Sequence, residues 1–176
     1  MLNTSINAGA FRGRKINLPP QGLTRAVSAK VRGAIFNKLD VSGKKVLDLF
    51  AGGGTLGFEA ISMGADTVTF VDRADRAIKV IYSNAEALGV RSNVEIIIDD
   101  AMRFKTNTKF DIVFMDPPYD EFDESMVKGV ADLVQLGGIL VVSCSRKTNF
   151  DVPIKYDLLD QKLYGDTKIT YLRKTN

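Results

Sequence analysis

Short apolar runs rich in β-branched residues alternate with helical stretches from Lys44 onward, and this alternation leaves few folds open to the chain. Strands that alternate with helices build a mostly parallel sheet joined by crossover helices. The runs predicted as strands are residues 46–50, 67–72, 94–99, 111–115 and 139–143, the last entered through a Gly137-Gly138 turn. Helical spacing predicts helices at residues 55–63, 74–88 and 123–133. The chain is therefore expected to be an α/β protein.

Both ends of the chain depart from this alternation. Near the C-terminus, residues 157–164 and 168–173 flank Gly165-Asp166, a pattern that predicts an antiparallel hairpin at the edge of the sheet. Near the N-terminus, residues 5–7 and 14–17 are expected to pair as a small hairpin, and residues 28–39 to form a helix. The prediction is a mostly parallel seven-stranded sheet with an antiparallel C-terminal strand, preceded by a small hairpin and a helix.

Length and hydropathy favour one domain. A chain of 176 residues with 45% hydrophobic content can bury roughly two-thirds of its unfolded surface. No run approaches the ~18 apolar residues that a membrane span needs, and the N-terminus lacks the apolar stretch of a secretion signal. We therefore expect a single cytoplasmic domain over residues 1–176, with a basic extension at 1–45 and a catalytic core at 46–176.

Two residue counts exclude several chemistries. The chain has no histidine and one cysteine, Cys144. This composition rules out an internal disulfide, the common zinc sites and every mechanism that needs a histidine. We expect no metal site, and we expect Cys144 to be a buried strand residue because no histidine is present to activate it as a nucleophile.

The net charge of +3 hides a strong asymmetry. Residues 1–45 hold nine Lys and Arg against one acid, whereas residues 46–176 hold fifteen against twenty. A basic segment attached to an acidic domain favours binding of a polyanion, and arginine clamps phosphates through two parallel hydrogen bonds. The candidate RNA contacts are Arg12, Arg14, Lys15, Arg25 and Arg32. Other charged positions are expected on solvent-facing surface, namely Lys38, Lys44, Lys45, Glu59 and Glu86.

A glycine-rich turn follows the first predicted strand of the core. Gly52, Gly54 and Gly57 fit the spacing G-x-G-x-x-G, in which the backbone turns tightly, admits a ligand and packs the next helix close to the sheet. Asp72 comes twenty residues after Gly52, where a carboxylate can accept hydrogen bonds from both ribose hydroxyls. The pattern leaves open a nicotinamide-dependent dehydrogenase or a methyltransferase that binds S-adenosyl-L-methionine.

Three features favour the methyl donor. Asp48 lies four residues before the first glycine, where its carboxylate can meet the ammonium of a methionine moiety. After the third strand, Asp100 is preferred over Asp99 as the acceptor for the adenine amine, and Ala101 and Met102 offer backbone groups to the ring edge. The antiparallel ending also fits a methyltransferase better than a dehydrogenase.

The most specific motif is Asp116-Pro117-Pro118-Tyr119 at the carboxyl end of the fourth strand, where open α/β sheets bind ligands. Two prolines remove two amide donors, so carbonyl groups and the Asp116 carboxylate form a rim of hydrogen-bond acceptors. Such a rim suits an exocyclic amine, whose nitrogen lone pair then attacks a sulfonium methyl. The ring of Tyr119 is expected to stack on the base.

With these motifs the chain resembles the RsmD family of methyltransferases, which modify the N2 amine of guanine-966 in 16S ribosomal RNA. The likeness spans nearly the whole chain and includes the arm at residues 6–15, the block at residues 48–60, the tetrapeptide 116–119 and the closing segment 164–167. It implies a Rossmann-like class I methyltransferase fold, and 16S rRNA or the assembled small subunit as partner, with no obligate protein partner. It adds further cofactor-binding positions, namely Phe50, Ala51 and Arg73.

The resemblance is incomplete before the first helix. Where the family carries proline and acidic residues, this chain has Ala26, Ala29 and Gly33. The tetrapeptide alone is also found in DNA adenine and protein glutamine methyltransferases, which remain the alternative. The expected function is transfer of a methyl group from S-adenosylmethionine to the N2 of a guanine in small-subunit rRNA.

Overall fold

The computed structural model describes residues 2–20 and 27–176, which build one seven-stranded sheet and one small hairpin. The hairpin strands are β1 (Asn3–Ser5) and β2 (Lys15–Asn17), and the helix α1 (Ala29–Phe36) follows. The remaining elements are β3 (Lys45–Leu49), α2 (Thr55–Ser62), β4 (Thr67–Asp72), α3 (Asp75–Leu88), β5 (Val94–Ile98), β6 (Phe110–Met115), α4 (Glu124–Gly129), β7 (Val134–Ser145), β8 (Tyr156–Tyr164) and β9 (Thr167–Lys174).

The strand order of the large sheet is β5-β4-β3-β6-β7-β9-β8. The strands from β5 to β7 pair in parallel, whereas β9 runs antiparallel to both β7 and β8. The order reverses at β3, so the carboxyl ends of β3 and its neighbours open onto a crevice of the kind that binds ligands in α/β sheets. The predicted fold class is confirmed, including the antiparallel C-terminal strand and the small N-terminal hairpin.

Some predicted boundaries were wrong. Strand β7 begins at Val134, so Gly137 and Gly138 lie inside it, beside a register shift against β6. The helix predicted over residues 123–133 divides into α4 and a 3₁₀ turn, Ala131–Leu133. No helix connects β5 to β6, because residues 99–109 form turns and irregular chain.

Both faces of the parallel sheet are buried, and alternate residues of each strand point to opposite faces. The first face carries Val46, Val68 and Phe114 and is covered by α2, α3, the hairpin and α1. The second face carries Leu47 and Met115 and is covered by residues that include those of α4. Burial of an apolar side chain of this size contributes about 1.5–3 kcal/mol to the free energy of folding. Packing on both faces therefore holds the strands in register.

The N-terminal segment is part of the first core. Ile6, Ile16, Val31 and Ile35 are each at most 5% exposed and pack in the same cluster as the sheet. Within residues 2–20 and 27–45 the extension therefore contributes apolar packing as well as charge. Removing it would expose this packing and perturb the sheet.

Arg32 is wrongly predicted as an RNA contact, and Glu59 is wrongly predicted as surface. The two side chains are 2% and 1% exposed, and Arg32 Nε lies 3.4 Å from Glu59 Oε2. Arg32 also donates to the carbonyl oxygens of Ser5 and Val27, at 2.8 and 2.9 Å. Burial lowers the pKa of the Arg32 guanidinium, and the carboxylate of Glu59 opposes this shift. The pair joins the hairpin, α1 and α2, which the sequence pattern of a single helix cannot reveal.

Replacing Arg32 with alanine should destabilise the fold. Breaking a buried ion pair by removing one partner costs roughly 3–5 kcal/mol. In this variant the Glu59 carboxylate stays buried and keeps its backbone hydrogen bonds from Asn7 and Ala8, but it has no cation to balance its charge. For a chain of this length the melting midpoint should fall by roughly 6–20 °C. Thermal unfolding measures the loss, and Lys30→Ala on the exposed side of α1 is the matched control, with almost no expected change. Equal midpoints for the two variants would contradict the structural role of Arg32.

Cys144 is a free, fully buried residue of β7, as predicted, and burial raises the pKa of its thiol. None of the helices that the structure describes combines the length and the apolar character required to cross a membrane.

Candidate active site

A cleft of about 700 Å³ lies beyond the carboxyl ends of the parallel strands. Its volume falls within the range usual for small-molecule and cofactor sites. The cleft is lined by most of the residues that the sequence predicts for cofactor and catalysis, namely Asp48, Phe50, Ala51, Gly52, Asp72, Arg73, Asp100, Ala101, Asp116, Pro117, Pro118 and Tyr119. Residues distant in sequence thus meet at the place that the strand ends define.

The glycine turn between β3 and α2 shapes one wall of the cleft. Gly52 and Gly54 have φ of 56° and 76°, which glycine adopts without strain. A Cβ atom at Gly57 would lie 2.1 Å from the ring of Phe70, so this glycine lets α2 approach the sheet closely. Gly54 and Gly57 do not line the cleft, and both therefore act on the site indirectly, through the turn and the helix.

Phe50 has a strained backbone at the end of β3. Its φ is 61°, and none of the other non-glycine residues among 2–20 and 27–176 has a positive φ. Such a conformation costs of order 1–3 kcal/mol and persists at functional sites where the surroundings hold it in place. Here it directs the chain from β3 into the glycine turn at the mouth of the cleft.

Asp48 is the most buried acid of the cleft. The residue is 2% exposed, and its Oδ2 accepts a hydrogen bond from the Gly57 N–H at 2.9 Å. Burial raises the pKa of the Asp48 carboxyl well above its usual range, and the nearby charges of Asp116 and Asp72 raise it further, whereas the Gly57 hydrogen bond lowers it. A cation in the cleft would relieve this unfavourable environment.

Asp72 anchors the turn from its position at the end of β4. Its Oδ2 accepts from the Gly52 N–H and its Oδ1 from the Ala74 N–H, both at 2.8 Å. Each oxygen keeps a second lone pair for a ligand hydroxyl. Next to it, the exposed Arg73 pairs with Glu121 at 2.7 Å, which links the end of β4 to the loop after the tetrapeptide.

Asp100 rather than Asp99 lines the cleft, in agreement with the predicted preference. The Oδ1 of Asp100 accepts from the Met102 N–H at 2.9 Å, which fixes the tight turn after β5. Met102 does not line the cleft, because its side chain packs with the second core. Its backbone amide is engaged by Asp100, and the predicted backbone contact from Met102 to the adenine ring edge stays a prediction.

The tetrapeptide follows β6 without a break. Asp116 is half-buried, and Pro117 is buried. The Pro118 carbonyl accepts from the Glu121 N–H at 3.0 Å, which turns the loop back toward the cleft. The hydroxyl of Tyr119 lies 2.6 Å from Oγ1 of Thr167, the first residue of β9. The contact involves the hydroxyl of Tyr119, whereas the predicted role of this residue concerns only its ring.

The predicted RNA contacts of the arm lie away from the cleft. The turn of the hairpin contacts the C-terminal end of α2, where the Ala10 N–H donates to the Ser62 carbonyl at 2.8 Å. Since α2 starts at the cleft and its eight residues span about 12 Å, this turn lies roughly 12 Å from the cleft. Arg12 is exposed in this turn, and Lys15 is exposed at the start of β2. Arg25 lies outside the described residues.

Arg14 is already engaged by protein groups. Its guanidinium donates to the Ala87 carbonyl at the end of α3 and lies 5.6 Å from the centre of the Phe11 ring. A cation at the C-terminal end of a helix is stabilised by the unpaired carbonyl groups there. Arg14 thus helps to fasten the hairpin to α3.

Several residues of the cleft were not predicted as site residues. They include Ser28 and Val31 at the start of α1, Ser143 near the end of β7, and residues 164–167, where the chain turns from β8 into β9. Ser143 is a polar residue at the carboxyl end of a buried strand, the same signal that identified Asp116. The turn joins the cleft because β9 pairs with β7, a neighbourhood that sequence spacing does not reveal.

The donor set of the cleft fits S-adenosylmethionine. The deeply buried Asp48 suits the ammonium group, and Asp72 and Asp100 suit the ribose and the adenine amine. The first turn of α2 has no side-chain cap, and its residues Thr55 and Leu56 line the cleft, so its free N–H groups suit the carboxylate of the methionine moiety.

The strand order, the reversed strand β9 between β7 and β8, and the acid-lined cleft together define a class I methyltransferase. Residues 4–173 match the family profile described as "Conserved hypothetical protein 95". The chain belongs to this family, the RsmD family of methyltransferases. Membership confirms the expected enzyme class, a methyltransferase that depends on S-adenosylmethionine.

Individual relatives cover most of the chain. "Putative rRNA methyltransferase YlbH" of Bacillus subtilis is 31% identical over 96% of this chain and 98% of its own length. "Ribosomal RNA small subunit methyltransferase D" of Buchnera aphidicola is 29% identical over 90% and 86%. The solved structure of "Putative methyltransferase yhhF" from Escherichia coli has a TM-score of 0.86, with 26% identity and 98% of both chains covered.

Proposed function

We propose that this protein transfers a methyl group from S-adenosylmethionine to the exocyclic N2 amine of a guanine in small-subunit ribosomal RNA. The observation that carries the proposal is the position of Asp116–Tyr119 in the same cleft as Asp48, Asp72 and Asp100. Relatives whose names state rRNA methylation support the substrate class. Residues 1–176 would act as one methyltransferase unit in the cytoplasm, where ribosomal RNA is found.

The cleft divides between donor and acceptor. When bound, S-adenosylmethionine supplies an electrophilic methyl group on a sulfonium. Asp48, Asp72 and Asp100 stand at or after β3, β4 and β5 and would hold the ammonium, the ribose and the adenine amine. Asp116 and Tyr119 stand beyond β6, on the other side of β3, and would hold the base that carries the acceptor amine.

Asp116 would accept an N–H of the acceptor amine, together with the carbonyl of Pro117. These hydrogen bonds draw the amine out of conjugation with the ring, so its lone pair points toward the methyl group. Tyr119 would stack on the base, a contact worth roughly 1–3 kcal/mol. The amine loses a proton to solvent after transfer, which accounts for the absence of a histidine from the mechanism.

The mouth of the cleft is acidic, because Asp120, Glu121 and Asp166 line it together with the buried acids. These charges repel RNA phosphates, so attraction to RNA must come from basic surface elsewhere. Arg12 and Lys15 would supply part of it from the hairpin.

Incubation with a labelled methyl donor tests the proposal. The acceptors are 16S rRNA, small subunits, DNA and a release factor, each offered separately, and the modified nucleotide is identified by mass spectrometry after digestion. We expect N2-methylguanosine in rRNA or in the subunit. Methylation of adenine in DNA or of a protein glutamine would overturn the proposed substrate in favour of the alternative that shares the tetrapeptide.

Neutralising the exposed cations of the hairpin should flatten the salt dependence of RNA binding. The double variant Arg12→Ala/Lys15→Ala removes two exposed charges and leaves the Arg14 contacts in place. Each lost phosphate contact on a single strand reduces the log-log slope by about 0.7, so the slope should fall by up to ~1.4. The slope is obtained by measuring RNA affinity across a series of salt concentrations.

The control for this test is Lys128→Ala/Lys155→Ala, which removes two exposed lysines from other parts of the surface. Cofactor affinity should be unchanged in both double variants. A slope equal to that of the unmodified protein would show that the hairpin only covers the core and that RNA docks elsewhere.

A further inference from the structure

Two buried hydroxyl groups of the described residues have no hydrogen-bond partner, namely Ser143 Oγ and Tyr171 Oη. Buried polar groups in folded proteins nearly always have a partner, so each exception calls for an explanation. Ser143 lines the cleft and is 3% exposed, whereas Tyr171 is 1% exposed and does not line it. Ser143 thus presents an unsatisfied hydroxyl to the place where ligands bind.

Ser143 stands beside Asp116. Met115 on β6 is in register with Val142 on β7, so the next residue on each strand is Asp116 and Ser143 respectively. Neighbouring strands lie about 4.8 Å apart. Two residues earlier, Phe114 and Val141 both pack in the first core, so side-chain alternation turns Asp116 and Ser143 to the same face of the sheet.

Ser143 also lies on the acceptor half of the cleft. In the sheet order, β6 and β7 follow β3 on one side, whereas β4 and β5 lie on the other. The predicted cofactor acids belong to β3, β4 and the turn after β5. Ser143 is two strands from β3, or about 10 Å, with the Asp116 strand in between.

We infer that the Ser143 hydroxyl hydrogen-bonds the acceptor base, at a ring nitrogen next to the amine that Asp116 holds. This inference rests on the proposed function. A guanine offers an N–H donor on one side of its N2 amine and a nitrogen acceptor on the other. A serine hydroxyl can satisfy either, since it both donates and accepts.

The second contact has a physical purpose. A base that stacks on Tyr119 and touches Asp116 at one atom remains able to rotate in its own plane. A hydrogen bond at the adjacent ring atom stops this rotation and fixes the direction of the amine lone pair. Orientation of this kind lowers the barrier because the entropy of alignment is lost on binding rather than in the reaction step.

Ser143→Ala tests the inference, with Tyr171→Phe as the matched control. Both variants remove one unpaired buried hydroxyl, so neither should lower the melting midpoint. Ser143→Ala should reduce kcat/KM for methyl transfer to RNA about tenfold, the effect of one hydrogen bond on a transition state. Calorimetry should give the same affinity for S-adenosylmethionine in both variants and in the unmodified protein. Tyr171→Phe should transfer at the normal rate.

The outcomes separate this inference from the proposed function. Normal transfer by Ser143→Ala would overturn it, as would a loss of cofactor affinity as large as the loss of rate, since the hydroxyl would then serve the donor. If the unmodified protein methylates DNA or a release factor instead of rRNA, the proposed function fails. The Ser143→Ala comparison on that acceptor then still decides whether the hydroxyl orients the acceptor group.

Discussion

Replacing Asp116 with alanine should lower the rate of methyl transfer by roughly 10²- to 10³-fold, the loss usual for removal of one positioned polar group from an active site. Asp116 is proposed to meet the acceptor amine rather than the donor, so cofactor affinity should stay within a few-fold. The charge of Asp116 helps to raise the pKa of the Asp48 carboxyl. Its removal should therefore favour the ionised form of Asp48 in the free protein.

Two further variants sharpen this test. Asp116→Asn keeps the shape of the side chain and one acceptor oxygen, so a rate between those of alanine and aspartate would show that hydrogen-bond acceptance carries part of the effect. Asp120→Ala removes an equal charge from the exposed mouth of the cleft and should leave the rate within a few-fold. Single-turnover kinetics with saturating cofactor measure the rates. An Asp116→Ala enzyme that transfers normally would exclude Asp116 from the reaction.

The parts of the site that could be predicted from the sequence share one property. Gly52, Asp72 and Asp116 each lie at or just after the end of an apolar run, and parallel strands bring such ends to one edge of the sheet. A local pattern is sufficient for these residues because the fold class itself supplies the long-range geometry. The same reasoning applies to Asp48, whose place in the strand before the glycine turn indicated a contact with a ligand ammonium and which the structure places in the cleft.

The parts that sequence reasoning missed depend on pairing between distant segments. Arg32 and Glu59 are charged residues on helices, and the usual expectation for such residues is exposure. They are buried because the hairpin packs over α2, where the Asn7 and Ala8 N–H groups donate to the Glu59 carboxylate at 2.8–3.1 Å. No spacing within the sequence indicates this arrangement.

The contact between Tyr119 and Thr167 was missed for a related reason. Thr167 reaches the cleft only because β9 returns antiparallel to β7 and places its first residue near the tetrapeptide. The hydroxyl of Tyr119 thus ties the acceptor loop to the C-terminal hairpin. A phenylalanine at position 119 would keep the stacking surface and lose this tie, so the aromatic ring is not the whole contribution of Tyr119.

Asp48 illustrates how a binding site opposes stability. Its pKa is raised in the folded state, mainly by burial, so the folded protein holds the Asp48 proton more tightly than the unfolded chain does. The contribution of such a group to stability is complete below its unfolded pKa and is lost as the pH rises through the folded pKa. At neutral pH the buried carboxyl therefore favours unfolding, and a ligand ammonium beside it would reverse the effect.

Asp48→Asn should accordingly stabilise the free protein and nearly abolish cofactor binding. Asparagine retains an oxygen for the Gly57 N–H and carries no charge to desolvate, so the melting midpoint should exceed that of the unmodified protein, by more at pH 7 than at pH 4. Removing one partner of a buried ion pair costs about 3–5 kcal/mol, so affinity should fall by roughly 10²- to 10³-fold or more. Calorimetry with the demethylated product, which retains the ammonium, measures the affinity.

The pH dependence of cofactor binding tests whether the ionised form of Asp48 holds the ammonium. In the unmodified protein the ammonium binds the ionised form of Asp48, so affinity should rise as the pH rises through the raised pKa of this carboxyl, and binding should release protons to the buffer. Asp48→Asn should bind weakly at every pH and release none. If this variant instead bound the cofactor as tightly as the unmodified protein, the ammonium would have to lie elsewhere in the cleft, and the burial of Asp48 would need another explanation.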